Sequence, residues 1–171
     1  MIDVKNVGIL DSSICSLKET SKDNHDGTDC YMTNSMLPVV NFDMVKEKYV
    51  QGLKISEFPA SNDALYVSND GELYFIEFKA GAMAKKIYEV RRKIFDSLLI
   101  LTDIINVGAS YTRQHLNYIL VYNEVKNQIT ETEKEELQVS PSRVKIGEIL
   151  GDKGQEGFVR FNLKRFKGLA G

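Results

Sequence analysis

The stretch Asp63-Ala-Leu-Tyr-Val-Ser-Asn-Asp-Gly-Glu-Leu-Tyr-Phe-Ile-Glu-Phe-Lys79 decides how the chain is read. Its halves, Asp63 to Ser68 and Glu72 to Lys79, are rich in strand-favouring residues, and Asn69-Asp70-Gly71 between them is turn chemistry. A three-residue loop with glycine in the left-handed position sets Ser68 against Glu72, Leu65 against Phe75 and Asp63 against Glu77. Period 2 then puts Lys79 on the face of Glu77. A two-residue Asp70-Gly71 turn is the alternative; it pairs Asp63 with Phe78 and sends the two carboxylates to opposite faces.

Working outward, Phe42, Val45, Tyr49 and Leu53 recur at helical spacing, with Asn41 as N-cap and Gly52 as stop. A link containing Pro59 leads into the hairpin. Beyond Gly81, the residues Ile87, Val90, Ile94, Leu98, Leu101 and Ile105 mark one face of a helix from about Ala84 to Ile105, and Leu99 and Ile104 widen the stripe. Leu116 to Tyr122 is a near-continuous apolar run, as expected of a strand inside a sheet covered by that helix. Thr130 to Val139 reads as a charged surface helix, and Val159, Phe161 and Leu163 alternate with polar residues as a half-exposed last strand. Residues 11–36 show neither period for long and are expected to form a loop or poorly ordered arm. The expected organisation is an N-terminal arm over residues 1–40, partly irregular, and a core over 41–171.

With 171 residues, 43% of them hydrophobic and 27% charged, the chain has the composition of one globular α/β domain and not of a disordered segment. No bilayer-length apolar run or signal-like N-terminus is visible, so a cytoplasmic protein with free Cys15 and Cys30 is expected. Cys15, His25 and Cys30 do not have the spacing of a zinc knuckle. The net charge of −2 makes no global case for a polyanion partner, yet residues 143–171 carry seven basic and three acidic side chains.

Two carboxylates side by side raise each other's proton affinity unless a cation sits between them. Mg²⁺ (or Mn²⁺) removes the conflict: it takes oxygen ligands and keeps several waters, so Asp63, Glu77 and a backbone carbonyl such as that of Phe78 suffice as the protein's share. In phosphodiester hydrolysis such an ion polarises the phosphate and activates water, and Lys79 is placed to stabilise the developing charge.

Asn62-Asp63, thirteen residues, then Glu77-Phe78-Lys79, on a hairpin between a first helix and a long second one, resembles the PD-(D/E)xK nuclease superfamily. The resemblance covers residues 41–123. It implies a restriction-endonuclease-like α-β-β-β-α-β core, a mixed sheet with a central hairpin flanked by helices. It also implies metal-dependent cleavage of DNA or RNA, Asp63 and Glu77 as metal ligands and Lys79 as catalytic lysine. Some members add a glutamate from the first helix, and Glu47 is the matching position. The chain departs in having Asn62 for the proline of the name and only Leu53–Phe58 as a candidate first core strand.

Lys85, Lys86, Arg91, Arg92 and Lys93 give the long helix a basic N-terminal half, either a nucleic-acid contact or a solvated face. Tyr66 and Tyr74 face each other, as base-stacking platform or ordinary cross-strand pair. His115 reads as a surface residue. The rival to a nuclease is a non-enzymatic protein of the same fold: an immunity or inhibitor protein, or a module binding nucleic acid, another protein or a second copy. A third possibility is a structural hairpin in which Lys79 neutralises the two acids.

Overall fold

The computed structural model describes residues 6–23, 29–54, 56–81, 87–122 and 158–162, without the side chains of Ile87, Arg113 and 158–162. The hairpin sits at its centre. Strands β5 (Ala64–Val67) and β6 (Leu73–Lys79) pair antiparallel with Leu65 opposite Phe75 and Val67 opposite Leu73. Ser68 N–H donates to Glu72 O at 2.9 Å, and Gly71 closes the loop at φ 82°, so Asn69-Asp70-Gly71 is the three-residue form and the two-residue turn is not used. Register therefore puts Asp63 and Glu77 on one face.

Before the hairpin come α1 (Gly8–Asp11), β1 (Ile14–Ser16), α2 (Leu17–Thr20), β2 (Lys22–Asp23), β3 (Cys30–Tyr31), β4 (Pro38–Asn41) and α3 (Phe42–Leu53). After it come α4 (Ile87–Ile104), α5 (Ala109–His115), β7 (Leu116–Tyr122) and β8 (Phe158–Asn162). One mixed sheet runs β1-β4-β5-β6-β7-β8, and β2 with β3 forms a separate ribbon. Strands β6 and β7 are parallel, in register from Leu73–Leu116 to Lys79–Tyr122, because α4 supplies the long crossover that a parallel pair requires. The chain is thus an α/β protein with a mixed sheet, a central hairpin and flanking helices.

Alternation along the central strands builds two cores. Leu65, Leu73, Phe75, Leu116, Tyr118 and Leu120 pack on one face with Phe42 and Val45 of α3 and Val90, Ile94 and Leu101 of α4. Ala64, Tyr74, Ile76, Phe78, Ile119 and Val121 pack on the other with Leu17 and Val39. Helix α3 starts as expected: Asn41 Oδ1 accepts from Met44 N–H at 3.1 Å. It runs past Gly52 and ends at Lys54, which holds the left-handed conformation at φ 55°.

Three expectations are corrected. Among the described residues of Leu53–Phe58 there is no strand: the helix and its left-handed cap use its start, and Phe58 is 65% exposed. The strand beside β5 is β4, which precedes α3 and carries the buried pair Val39 and Val40, so the order from β4 to β7 is β-α-β-β-α-α-β. Residues 11–36 are not merely a loop: β1 joins the sheet through β4, and Leu17 is fully buried. Finally, Leu99 is 68% exposed and does not widen the packed stripe of α4. The expected helix at Thr130–Val139 lies outside the described residues, and of the last strand the backbone pairing of β8 with β7 is described. Among the described residues no helix is long and apolar enough to cross a membrane.

Candidate active site

The last residue before β5 and the end of β6 meet on the face covered by α4. Asp63 Oδ2 accepts the backbone N–H of Phe78 at 2.6 Å, which fixes the carboxylate beside Glu77. Glu77 is fully buried, and its Oε1 meets two ammonium groups, Lys79 Nζ at 2.5 Å and Lys93 Nζ at 2.6 Å. Lys93 also reaches Asp63 Oδ1 at 3.4 Å and so bridges the two acids. The other Glu77 oxygen, Oε2, is buried with no hydrogen-bond partner among the described residues.

Helix α4 positions this cluster through side chains on one face. Asp96 Oδ2 accepts from Ala60 N–H at 2.9 Å, Ser97 Oγ accepts from Asn62 N–H at 2.8 Å, and Lys93 takes Asp63. Positions 93, 96 and 97 are neighbours at helical spacing, so one helix face holds the segment that delivers Asp63.

Burial, and next the charge of Glu77, push the Asp63 carboxyl up to about 7 against the opposing pull of Lys93, the Phe78 N–H and Lys79. Burial alone lowers the proton affinity of Lys93; the carboxylates of Asp63 and Glu77 outweigh it and raise its pKa above the ordinary lysine value. Both shifts describe a largely buried Asp63 whose charge is balanced by a neighbouring ammonium.

A cleft of about 340 Å³ opens beside Asp63 and Lys79. Asn41, Asp43 and Phe78 line it as well, together with Glu19 to Asp23 and Met32 of the N-terminal segment. Glu77 lies behind Asp63 and does not line it.

Asp43, in the first turn of α3, is the helix carboxylate at the cleft. Its Oδ1 accepts from Ser61 Oγ and pairs with Lys46 Nζ at 3.1 Å. Glu47, the position expected to add a ligand, is exposed and does not reach the cleft. It lies one helical turn beyond Asp43, a displacement of about 6 Å along the axis.

The basic helix half divides. Arg91 and Arg92 are exposed, with Arg92 Nε 3.4 Å from Asp96 Oδ2, whereas Lys93 turns inward. Lys85 and Lys86 lie outside the described residues. Tyr66 and Tyr74 form a cross-strand pair with centroids 6.0 Å apart, and Tyr74 is buried in the second core, so its ring is not offered to a base. His115 sits at the turn end of the hairpin, with Nδ1 3.3 Å from Glu72 Oε1, away from Asp63. Cys15 and Cys30 are free thiols.

Among the described residues no three His, Cys, Asp or Glu side chains converge as a metal-binding set. The oxygen donors that do meet, Asp63 and Glu77 with its unpartnered Oε2, nevertheless suit a hard divalent cation, for which two carboxylates and retained waters suffice. Comparison with family models, curated proteins and solved structures finds no match, so the functional reading rests on these residues.

Proposed function

We propose that the protein is a Mg²⁺- or Mn²⁺-dependent nuclease of restriction-endonuclease-like fold that hydrolyses phosphodiester bonds of DNA or RNA in the cytoplasm. One observation carries the reading: Asp63 and Glu77 share a strand-pair face with Lys79, and Asp63 and Lys79 reach an open cleft. Asp63 and Glu77 would hold the cation, with the Phe78 N–H keeping the Asp63 carboxylate in orientation. A cation bound there supplies polarisation of the phosphate and a water of lowered pKa. Lys79 donates to the phosphate oxygen on which negative charge builds, an interaction stronger in the transition state than in the ground state. The exposed Arg91 and Arg92, with Lys85 and Lys86 before them in sequence, would contact the backbone of the nucleic acid.

A second reading, a non-catalytic protein of the same fold that binds a protein or nucleic-acid partner, is favoured by one specific fact. Lys93 and Lys79 already neutralise the acids, and Glu77 is wholly buried. Calorimetric titration with Mg²⁺ and Mn²⁺, followed by cleavage assays on mixed DNA and RNA, separates the two. The nuclease reading expects binding and cleavage in wild type, both lost in Glu77→Gln. No heat at millimolar metal and no cleavage would leave the binding module.

A further inference from the structure

We propose that Lys93 is a resident counter-ion at the cation position between Asp63 and Glu77, and that a divalent metal binds there by displacing its ammonium. This inference rests on the metal-site reading above. Of the two lysines at the cluster, Lys93 alone touches both acids, at 2.6 Å from Glu77 Oε1 and 3.4 Å from Asp63 Oδ1. Lys79 touches Glu77. An ion held by both acids competes with the Lys93 ammonium for the oxygens it now pairs with, Glu77 Oε1 and Asp63 Oδ1.

The charge count points the same way. Two carboxylates and two ammonium groups are already balanced, so a divalent ion added with both lysines in place leaves a net charge of +2 beneath α4. Burying that excess is unfavourable, and releasing one lysine relieves half of it. Lys93 has the means to leave: its side chain is 23% exposed and ends a flexible four-carbon stem. Asp43 on the cleft wall is a further carboxylate whose charge it already feels.

The device keeps the acid pair folded without metal and weakens metal binding. The test is calorimetric titration of Mn²⁺ into wild type, Lys93→Met, Lys93→Arg and Lys79→Met. Removing the competitor should tighten Mn²⁺ about ten-fold or more in Lys93→Met. Lys93→Arg should show no such gain, and Lys79→Met a smaller one. Wild-type protein gives an independent readout: acetylation of Lys93 by an amine reagent, followed by mass spectrometry, should rise as Mg²⁺ is added. Lys22, paired with Asp29 on the surface, should stay constant.

Wild type that binds Mn²⁺ while Lys93→Met binds equally or more weakly overturns the displacement and leaves the metal site standing. Absence of binding in both proteins overturns the metal site and the displacement with it. If Lys93→Met fails to fold, unchanged Lys93 acetylation at metal concentrations that produce heat in wild type overturns the displacement.

Discussion

Ser97 Oγ accepts the backbone N–H of Asn62 at 2.8 Å, and through that bond α4 sets the position of the neighbouring Asp63. Both groups are buried, so Ser97→Ala leaves an amide without its partner, at a cost of about 1–3 kcal/mol. Denaturant unfolding should show that loss. Mn²⁺ affinity should fall as well, because Asp63 is no longer held; a variant destabilised with unaltered metal binding would detach Ser97 from the site.

The raised proton affinity of Asp63 has a definite sign in stability. Its folded pKa of about 7 lies above the ordinary 3.8, so the folded state binds the extra proton between these values. The stability it contributes is fully present below pH 4 and is lost as pH rises through 7. In EDTA, wild-type unfolding free energy should therefore carry a component that falls from pH 5 to 8, and Asp63→Asn should show a smaller fall. The shift of Lys93 acts only above its ordinary lysine value and does not enter that window. Equal slopes in the two proteins would remove Asp63 as the source.

Lys79→Ala separates chemistry from structure. A lysine that stabilises transition-state charge should take most of the turnover with it, at least ~10²-fold as for loss of an oxyanion donor, while calorimetric Mn²⁺ binding persists. Because Lys93 still pairs with Glu77, the fold should survive. Unaltered cleavage in this variant would assign Lys79 to neutralisation alone.

The two helix carboxylates give a paired test. Asp43→Asn removes charge from the cleft wall and should weaken Mn²⁺ binding several-fold, whereas Glu47→Gln, on the exposed continuation of α3, should not register by calorimetry. The reverse ranking would restore Glu47 as the helix ligand.

Arg91 and Arg92 project into solvent beside the inward-turning Lys93. If they meet phosphates, their joint replacement by alanine should lower nucleic-acid affinity across sequences and reduce the slope of log K against log salt by about two. Fluorescence anisotropy at a series of salt concentrations reads this directly, and an unchanged slope would leave them as a solvated face.

The hairpin is legible because its signals are local, but Asn69-Asp70-Gly71 suits a three-residue and a two-residue loop alike, and the parity that brings Asp63 to Glu77 is decided by the closure of Ser68 on Glu72. Strand β7 was legible from its unbroken apolar run. Lys93 was not, because it reads as one more member of the Lys85–Arg92 basic face. Its phase was the available signal, since it lies three residues after Val90 and one before Ile94 on the packed side of α4. Strand β4 escaped because four residues are too few to display a period. Glu47 follows from the resemblance, which implies a glutamate on the first helix; that Asp43 is the helix carboxylate at the cleft comes from the packing of α3 and not from any local signal. The short elements of residues 11–36 owe their form to what they pack against, which no window of sequence contains.

The parallel pairing of β6 with β7 joins segments roughly forty residues apart, while β5 and β6 close over a three-residue loop. On loop-closure grounds the hairpin is cheap to form early and the crossover is slow. A folding chain therefore presents Asp63 and Glu77 to bulk water, hydrated like any surface acids, until α4 docks. The helix that covers Glu77 and most of Asp63 is also the one that carries Lys93, so the carboxylates give up water in the same event that delivers an ammonium to replace it.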